Sequence, residues 1–269
     1  MVILSPAKVN LGLWVLKKRL DGYHDIFTLY HKVSLFDVVH IREGRFSVST
    51  NLSIPMEKNL VYRALLLMSQ VLGRLPDVEV FIEKSIPLGS GLGGGSSNVA
   101  TALVGVNELL GRPLSDSQLK QIAAQVSSDA PFFLGGPSAI GQGRGDVLNE
   151  IDLPKMVFTI VCPNVEASSS RVYSALRSEW LTESPDKDKI LSCLRRGDLG
   201  GLYNALERPA CELYPEIGEV LRYLRALGID ARLSGSGACV FYLGEPFEKL
   251  QVACTLRGWR LYRVESYGV

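Results

Sequence analysis

The sequence predicts an α+β protein built as two domains. Strand-like and helical segments are mixed along the chain without strict β–α alternation, which argues against a doubly wound sheet. At 269 residues the chain fits one large domain or two of ordinary size. The composition resets around Leu153-Pro154, where Met156 to Cys162 begins a new apolar run. Residues 1–152 and 153–269 are therefore expected as the N- and C-terminal domains.

The first half reads as follows. Val2 to Leu4 and Val9 to Leu16 are expected strands flanking Ser5-Pro6-Ala7-Lys8. A polar turn follows, with Asp21-Gly22 as its turn dipeptide. Phe27 to Val39 and Arg45 to Thr50 supply further strand-like runs. Asn59 is the expected N-cap of a helix carrying Val61, Ala64, Leu65, Met68 and Leu72 on one face, and Gly73 closes it. Val78 to Glu83 alternates apolar and polar residues, the period-2 pattern of a half-buried strand.

A glycine-rich stretch comes next, from Ile86 to Asn98. Val99, Leu103, Val106 and Leu110 then repeat at helical spacing, with Ser96, Ser97 and Asn98 as capping candidates. Ser115 and Gln118 form an expected capping box for the next helix. Pro131 disfavours helical geometry in the residue before it, so Asp129 is expected just beyond a helix end. Short strands and turns follow through Gly135-Gly136-Pro137 and 141–145.

In the second half, helical patterns cover Arg171 to Arg177, Lys187 to Arg195 and Pro215 to Leu227, the last closed by Gly228. Ala231 to Leu233 and Cys239 to Leu243 read as strands around a second glycine turn, Ser234-Gly235-Ser236-Gly237. A helix near Phe247 to Arg257 and a strand over Trp259 to Glu265 end the chain. No internal repeat or low-complexity tract is present.

Composition narrows the function classes. With 46% hydrophobic and 21% charged residues, this is an ordinary globular composition. A net charge of +1 gives no reason to expect a nucleic-acid or membrane partner. The five cysteines are scattered and never form Cys-x-x-Cys, which argues against a disulfide framework or a zinc site and fits a reducing, cytoplasmic setting. No signal peptide or transmembrane run is read, and His24, His31 and His40 lack metal-helix spacing.

Chemistry is expected at the glycine stretch. A glycine turn feeding a helix N-terminus lets backbone N–H groups approach an anion, and the helix dipole favours negative charge there. A flexible turn is the alternative. No Lys-Ser or Lys-Thr follows the glycines, so this is no Walker A loop. Lys84 to Leu88 separate the strand from the first glycine, unlike a dinucleotide fingerprint. Phosphoryl transfer fits, and it calls for a nucleotide, a metal ion on its phosphates and a base for the attacking hydroxyl. Asp129, set among apolar residues, is the candidate base; the alternative is that it caps or hydrogen-bonds a backbone turn. Lys8 also lies among apolar residues. It either pairs with Asp129 in the interior or reaches solvent from a strand end. Tyr23-His24 could stack on and hydrogen-bond a planar base, or could be a surface tip.

Three separated motifs resemble the GHMP kinase superfamily: Ser5-Pro-Ala-Lys-Val-Asn10-Leu-Gly12, Pro87-Leu-Gly-Ser-Gly-Leu-Gly-Gly-Gly-Ser-Ser97 and Ser234-Gly-Ser-Gly-Ala-Cys-Val-Phe241. Asp21-Gly22-Tyr23-His24, Gly93 to Asn98 and Ser128-Asp129-Ala-Pro131-Phe-Phe133 narrow the resemblance to the branch whose acceptor carries a cytidine diphosphate. That resemblance implies a ribosomal protein S5 domain 2-like N-terminal domain and a ferredoxin-like C-terminal domain, with the active site in the cleft between them. It implies ATP-dependent phosphorylation of a tertiary alcohol in non-mevalonate isoprenoid synthesis. ATP would lie on Pro87, Leu88, Gly89, Ser90, Gly91, Leu92, Gly93, Gly94, Gly95, Ser96 and Ser97, with Asn59 near the adenine. Asp129 would be the catalytic base and Lys8 would orient it. Asn10, Tyr23, His24 and Tyr173 would bind the cytidine substrate, while Ser234, Gly235, Ser236 and Gly237 would close over the phosphates. Mg²⁺ would arrive with ATP, without a dedicated set of protein ligands. Ala130 departs from the family's usual valine, a packing change that leaves the carboxylate. The implied partner is a small molecule, with no nucleic acid or membrane, and the protein would be a monomer or homodimer. The alternatives are a GHMP kinase acting on mevalonate, homoserine or a sugar, and a non-catalytic nucleotide-binding protein.

Overall fold

The computed structural model describes every residue except Gly197 and Leu199. The chain resolves into two compact units, each assembled from non-consecutive segments. Met1–Ala7, Leu35–Ile86 and Gly93–Gly136 form the first, and Lys8–Ser34, Pro87–Leu92 and Pro137–Val269 form the second. The division into 1–152 and 153–269 is sequential and coarser than this interleaving.

Two long strands contribute to both units: β1 (Val2–Lys18) and β2 (His24–Glu43). The break expected at Ser5–Lys8 is absent, and β1 runs straight through Pro6. β1 pairs with β2.

In the first unit, β3 (Ser47–Thr50) is shorter than the expected Arg45 to Thr50 run. Helix α1 (Leu60–Leu72) follows, capped at Asn59, whose Oδ1 accepts the Val61 N–H, and ended by Gly73 at φ 70°. Strand β4 (Val78–Glu83) pairs antiparallel with the C-terminal part of β2 and parallel with β3. Its alternation holds: Val78, Val80 and Ile82 are buried against Val61, Leu65 and Met68 of α1.

Helix α2 (Gly94–Leu109) adds Val99, Leu103 and Val106 to the same core. One expectation needs correction here. The N-cap is Gly93 at φ 73°, so Ser96, Ser97 and Asn98 lie inside the helix and do not cap it. Helix α3 (Asp116–Val126) carries the full Ser115–Gln118 capping box. A second correction concerns Ala130, which is helical. Pro131 sits in the first turn of a short helix, α4 (Ala130–Phe133), where its missing N–H costs nothing. Asp129 is the N-cap residue of that helix.

In the second unit, the N-terminal part of β2 pairs antiparallel with β5 (Ser138–Gln142), which pairs with β6 (Val147–Glu150). A separate antiparallel sheet starts at β7 (Val157–Cys162). Helices α5 (Ser169–Ser174), α6 (Lys187–Arg195), α7 (Glu207–Leu213) and α8 (Pro215–Ala226) follow. Then come β8 (Arg232–Leu233), β9 (Val240–Leu243), α9 (Glu248–Arg257) and β10 (Arg260–Glu265), giving the sheet order β10-β7-β9-β8. The expected helix at Arg171 to Arg177 is displaced toward the N-terminus, and α7 was not expected. Ile217, Val220, Leu221 and Leu224 of α8 pack on Val161, Leu233, Val240 and Leu250.

Cys162 and Cys239 form a disulfide, contrary to the reading of the cysteines as unpaired. Val161 stands opposite Val240 in the β7–β9 ladder, so the next residues, Cys162 and Cys239, are neighbours. Their sequence separation of 77 hides that adjacency. The argument from cysteines to a reducing compartment loses its support. Cys193, Cys211 and Cys254 are free. Among the described residues no helix is long and apolar enough to cross a membrane.

His31 of β2 is fully buried in the second unit, its ring nitrogens 2.7 Å from the Ser138 and Ser266 hydroxyls. Burial pushes its pKa down to about 4. The unfolded chain, with an ordinary imidazole near 6.5, takes up this proton first on acidification. The stability contributed by the neutral ring is therefore fully present above about pH 6.5 and lost as pH falls toward 4. Urea unfolding should show a loss of roughly 2 kcal/mol between pH 7.5 and 5 from this group. His31→Gln should flatten that dependence; an unchanged pH profile in the variant would rule His31 out as its source.

Candidate active site

The glycine loop leaves β4, turns, and enters α2. Gly89, Gly91 and Gly93 have φ of 56°, 75° and 73°, the left-handed region that favours glycine. Within the second unit, the carbonyls of residues 89–92 are all committed to protein donors. Gly89 O accepts from the Ala167 and Ala238 amides at 2.9 and 2.8 Å, and Ser90 O accepts from Cys239 N at 2.9 Å. Gly91 O accepts from Lys8 Nζ at 2.7 Å and Ser234 Oγ at 3.1 Å. Leu92 O accepts from Lys8 N at 2.9 Å. Carbonyls turned into the protein suit an anion site, because an oxygen facing the ligand would repel phosphate.

Close approach explains the loop's composition. A Cβ on Gly91 would lie 2.0 Å from Ser234 O, and one on Gly89 would lie 2.9 Å from Ala167 N. In the first unit, Gly93 gives α2 no side-chain cap. The first-turn N–H groups of a 16-residue helix thus begin at Gly94 without that competitor. Ser96 Oγ lies 2.7 Å from Ser127 Oγ.

Lys8 is only 2% exposed, so its position inside β1 does not bring it to solvent. Besides Gly91 O, its ammonium donates to Asn10 Oδ1. Asn10 in turn donates Nδ2 to Thr28 Oγ1 at 2.8 Å and its backbone N–H to Ser234 Oγ at 3.3 Å. The turn Ser234-Gly235-Ser236-Gly237 is buried, with φ of 56° at Gly235 and 91° at Gly237. Asn204 fixes it by donating to Leu233 O and Gly235 O, both at 2.8 Å. Ser236 Oγ lies 2.7 Å from Ser169 Oγ. The second unit therefore joins Lys8, Asn10, Gly91 and Ser234, drawn from all three motifs.

The aromatic residues also assemble there. His24 stacks on Tyr173 with ring centroids 5.5 Å apart and planes at 27°. Burial, with the Lys18 charge as a smaller cause, lowers the His24 pKa and favours its neutral ring. Tyr23 is exposed and lies beneath the Arg144 guanidinium at 4.9 Å, which Asp146 holds at 2.6 Å.

Asn59 and Asp129 lie in the first unit. Asn59 spends its Oδ1 on capping α1. Asp129 is half-buried, and its side chain makes no capping bond to α4.

Comparison with known proteins decides the family. The GHMP kinases N terminal domain matches residues 59–137, and the GHMP kinases C terminal domain matches residues 190–257. The 4-diphosphocytidyl-2-C-methyl-D-erythritol kinase of Sulfurihydrogenibium sp. is 41% identical over 98% of both chains. That of Persephonella marina is also 41% identical, over 97% of this chain and 98% of its own. The chain belongs to the 4-diphosphocytidyl-2-C-methyl-D-erythritol kinase family. A crystal structure of a 4-(cytidine 5'-diphospho)-2C-methyl-D-erythritol kinase, 35% identical, covers all of both chains with a TM-score of 0.84. Homoserine kinase from Cytophaga hutchinsonii matches at a TM-score of 0.72 and 22% identity over 100% of this chain and 94% of its own, a likeness of fold. The α+β GHMP kinase fold is thus established for this member of the family.

Sequence reasoning did not single out Thr28, Asn204, Ser169 or Arg144. Each acts through a partner at least 16 residues away, except Arg144 with Asp146, and a lone polar residue in a strand or loop carries no local mark of such a role. Among the described residues no group of three or more His, Cys, Asp or Glu could hold a metal ion.

Proposed function

We propose that this kinase transfers the γ-phosphoryl group of ATP to the C2 hydroxyl of 4-diphosphocytidyl-2-C-methyl-D-erythritol, giving the 2-phosphate and ADP in non-mevalonate isoprenoid synthesis. The observation that carries the reading is the convergence of Lys8 and Ser234 on the carbonyl of Gly91, with Asn10 bonded to both, which holds that carbonyl turned inward.

In this reading Pro87 to Ser97 hold the triphosphate through loop and helix amides, and Ser234 to Gly237 close over it. Asn59 lies by the adenine. Asp129 accepts the proton of the tertiary hydroxyl, and Lys8 steadies the carboxylate and the charge that develops in transfer. A loose phosphoryl-transfer transition state asks for position and aimed charge more than covalent chemistry. Mg²⁺ would come with ATP within reach of Ser96, and would supply charge neutralisation at the phosphates. The ATP-side domain spans 1–152 and its companion 153–269, and the protein works in the cytoplasm without a nucleic-acid partner.

His24, Tyr23 and Tyr173 receive the cytosine, with Asn10 nearby. His24 and Tyr173 already stack, so a base can enter against rings held in place. Tyr173→Ala should raise KM for the cytidine substrate by about 10-fold, within the range of base–aromatic stacking, and leave KM for ATP unchanged. Equal changes in both constants would remove Tyr173 from the base site. Phosphorus NMR of the product tests the reaction itself: a new monoester signal on the methylerythritol, with the diphosphate intact, is expected. Phosphate on another carbon, or a cleaved diphosphate, would overturn the assignment.

A further inference from the structure

A second polar cluster lies in the first unit, at the base of the loop, and shares Ser97 with the residues assigned above. Asp37 of β2 is 0% exposed, and four donors surround its carboxylate. Oδ1 accepts the Ser85 and Ile86 amides at 2.7 and 2.8 Å. Oδ2 accepts from the Lys84 ammonium and from Asn98 Nδ2, the latter at 3.0 Å. Lys84 Nζ also donates to Asn98 Oδ1 at 2.9 Å. Asn98 Nδ2 reaches Ser5 Oγ at 2.9 Å, and Ser5 Oγ donates to Ser97 Oγ at 2.8 Å.

These bonds join the two ends of the loop. Lys84, Ser85 and Ile86 are the last residues before Pro87, whereas Ser97 and Asn98 lie in the first turns of α2. Stability alone does not explain the choice of residues. A buried ion pair is commonly matched or exceeded in stability by apolar groups of the same volume. The ammonium also stands at the wrong end of a helix: a Cβ on Gly94 would be 3.2 Å from Lys84 Nζ, where the α2 dipole disfavours a cation. Asp37 balances that charge and at the same time fixes two backbone amides, so the pair sets direction as well as holding the segments together.

We infer that Asp37 and Lys84 are positioning residues that hold both ends of the phosphate loop in its ATP-binding geometry. The inference rests on the reading that this loop binds ATP. The test is an Asp37→Asn/Lys84→Met double variant, which removes both charges and leaves neither buried alone. Its melting curve should stay cooperative. Calorimetry should show ADP binding weakened by about 10-fold, and KM for ATP should rise in parallel while KM for the cytidine substrate is unchanged. A purely structural role would lower the melting temperature or the active fraction without moving the ADP dissociation constant. A folded double variant with wild-type ADP affinity would overturn the inference. Should the double variant not fold, Ser5→Ala removes the far link of the cluster and should raise the ADP dissociation constant by about fivefold, the scale of one lost hydrogen bond. Wild-type affinity in that variant overturns the inference as well. Wild-type protein that fails to bind ADP would defeat the ATP reading of the loop instead.

Discussion

Asp129→Ala is expected to keep ATP affinity within a few-fold while turnover falls by about 10²-fold or more, the scale of a lost general base. The two halves of that result come from different places. In the proposed reading affinity belongs to the loop amides, which a change at the N-cap of α4 leaves alone. Turnover needs the proton of a tertiary alcohol to leave as the phosphorus–oxygen bond forms, and no solvent base substitutes at comparable effective concentration. The N-cap position of Asp129 sharpens the prediction, because its side chain makes no capping bond to α4. Kinetics and ADP calorimetry on the same preparation check both halves, and near-normal turnover would remove Asp129 from catalysis.

Gly91→Ala should have a comparable effect through the opposite route. The added Cβ would fall 2.0 Å from Ser234 O and 3.0 Å from Gly237 N, and these are backbone atoms of a buried turn that cannot rotate away. The residue would also have to keep φ at 75°, which costs a non-glycine residue about 1 kcal/mol or more. The loop must shift, and with it the carbonyl that Lys8 and Ser234 hold. ATP binding should weaken by at least about 10-fold and kcat/KM should fall by 10²-fold or more, given the sensitivity of transfer to small displacements. Gly73→Ala is the matched control, since it has a similar positive φ of 70° and nothing within 4 Å of the added carbon. It should cost stability alone. Equal ATP affinity in Gly91→Ala and wild type would show that the loop's contact with the Ser234 turn is dispensable.

Local rules explain which parts of the fold were legible in the sequence. The alternation of Val78 to Glu83, the Asn59 cap, the Ser115–Gln118 box and the Lys187 to Arg195 helix all report within a few residues of themselves. Capping at Ser96 to Asn98 failed because tertiary partners took those side chains: Ser127, Ser5 and Asp37 hold them inside α2. Pro6 suggested a break, but β1 runs through it beside β2. Cys162 and Cys239 looked unrelated because only the β7–β9 ladder brings them together.

The candidate site divides in the same way. The glycine loop, the second glycine turn and the Tyr23-His24 pair announce themselves by composition, and the resemblance supplied their roles. What joins them is not local. Asn10 meets Ser234 across 224 residues, and Lys8 meets Gly91 across 83. Asp37 is harder still, an aspartate in an apolar strand whose value lies in four donors from two distant segments.

The most direct measurement is ADP release by the wild-type protein with ATP and Mg²⁺, in the presence and absence of 4-diphosphocytidyl-2-C-methyl-D-erythritol, beside parallel reactions with mevalonate and homoserine. The account predicts stoichiometric ADP release that depends on the cytidine substrate and stays at background with the other two alcohols. Release driven by mevalonate or homoserine but not by the cytidine substrate would contradict it.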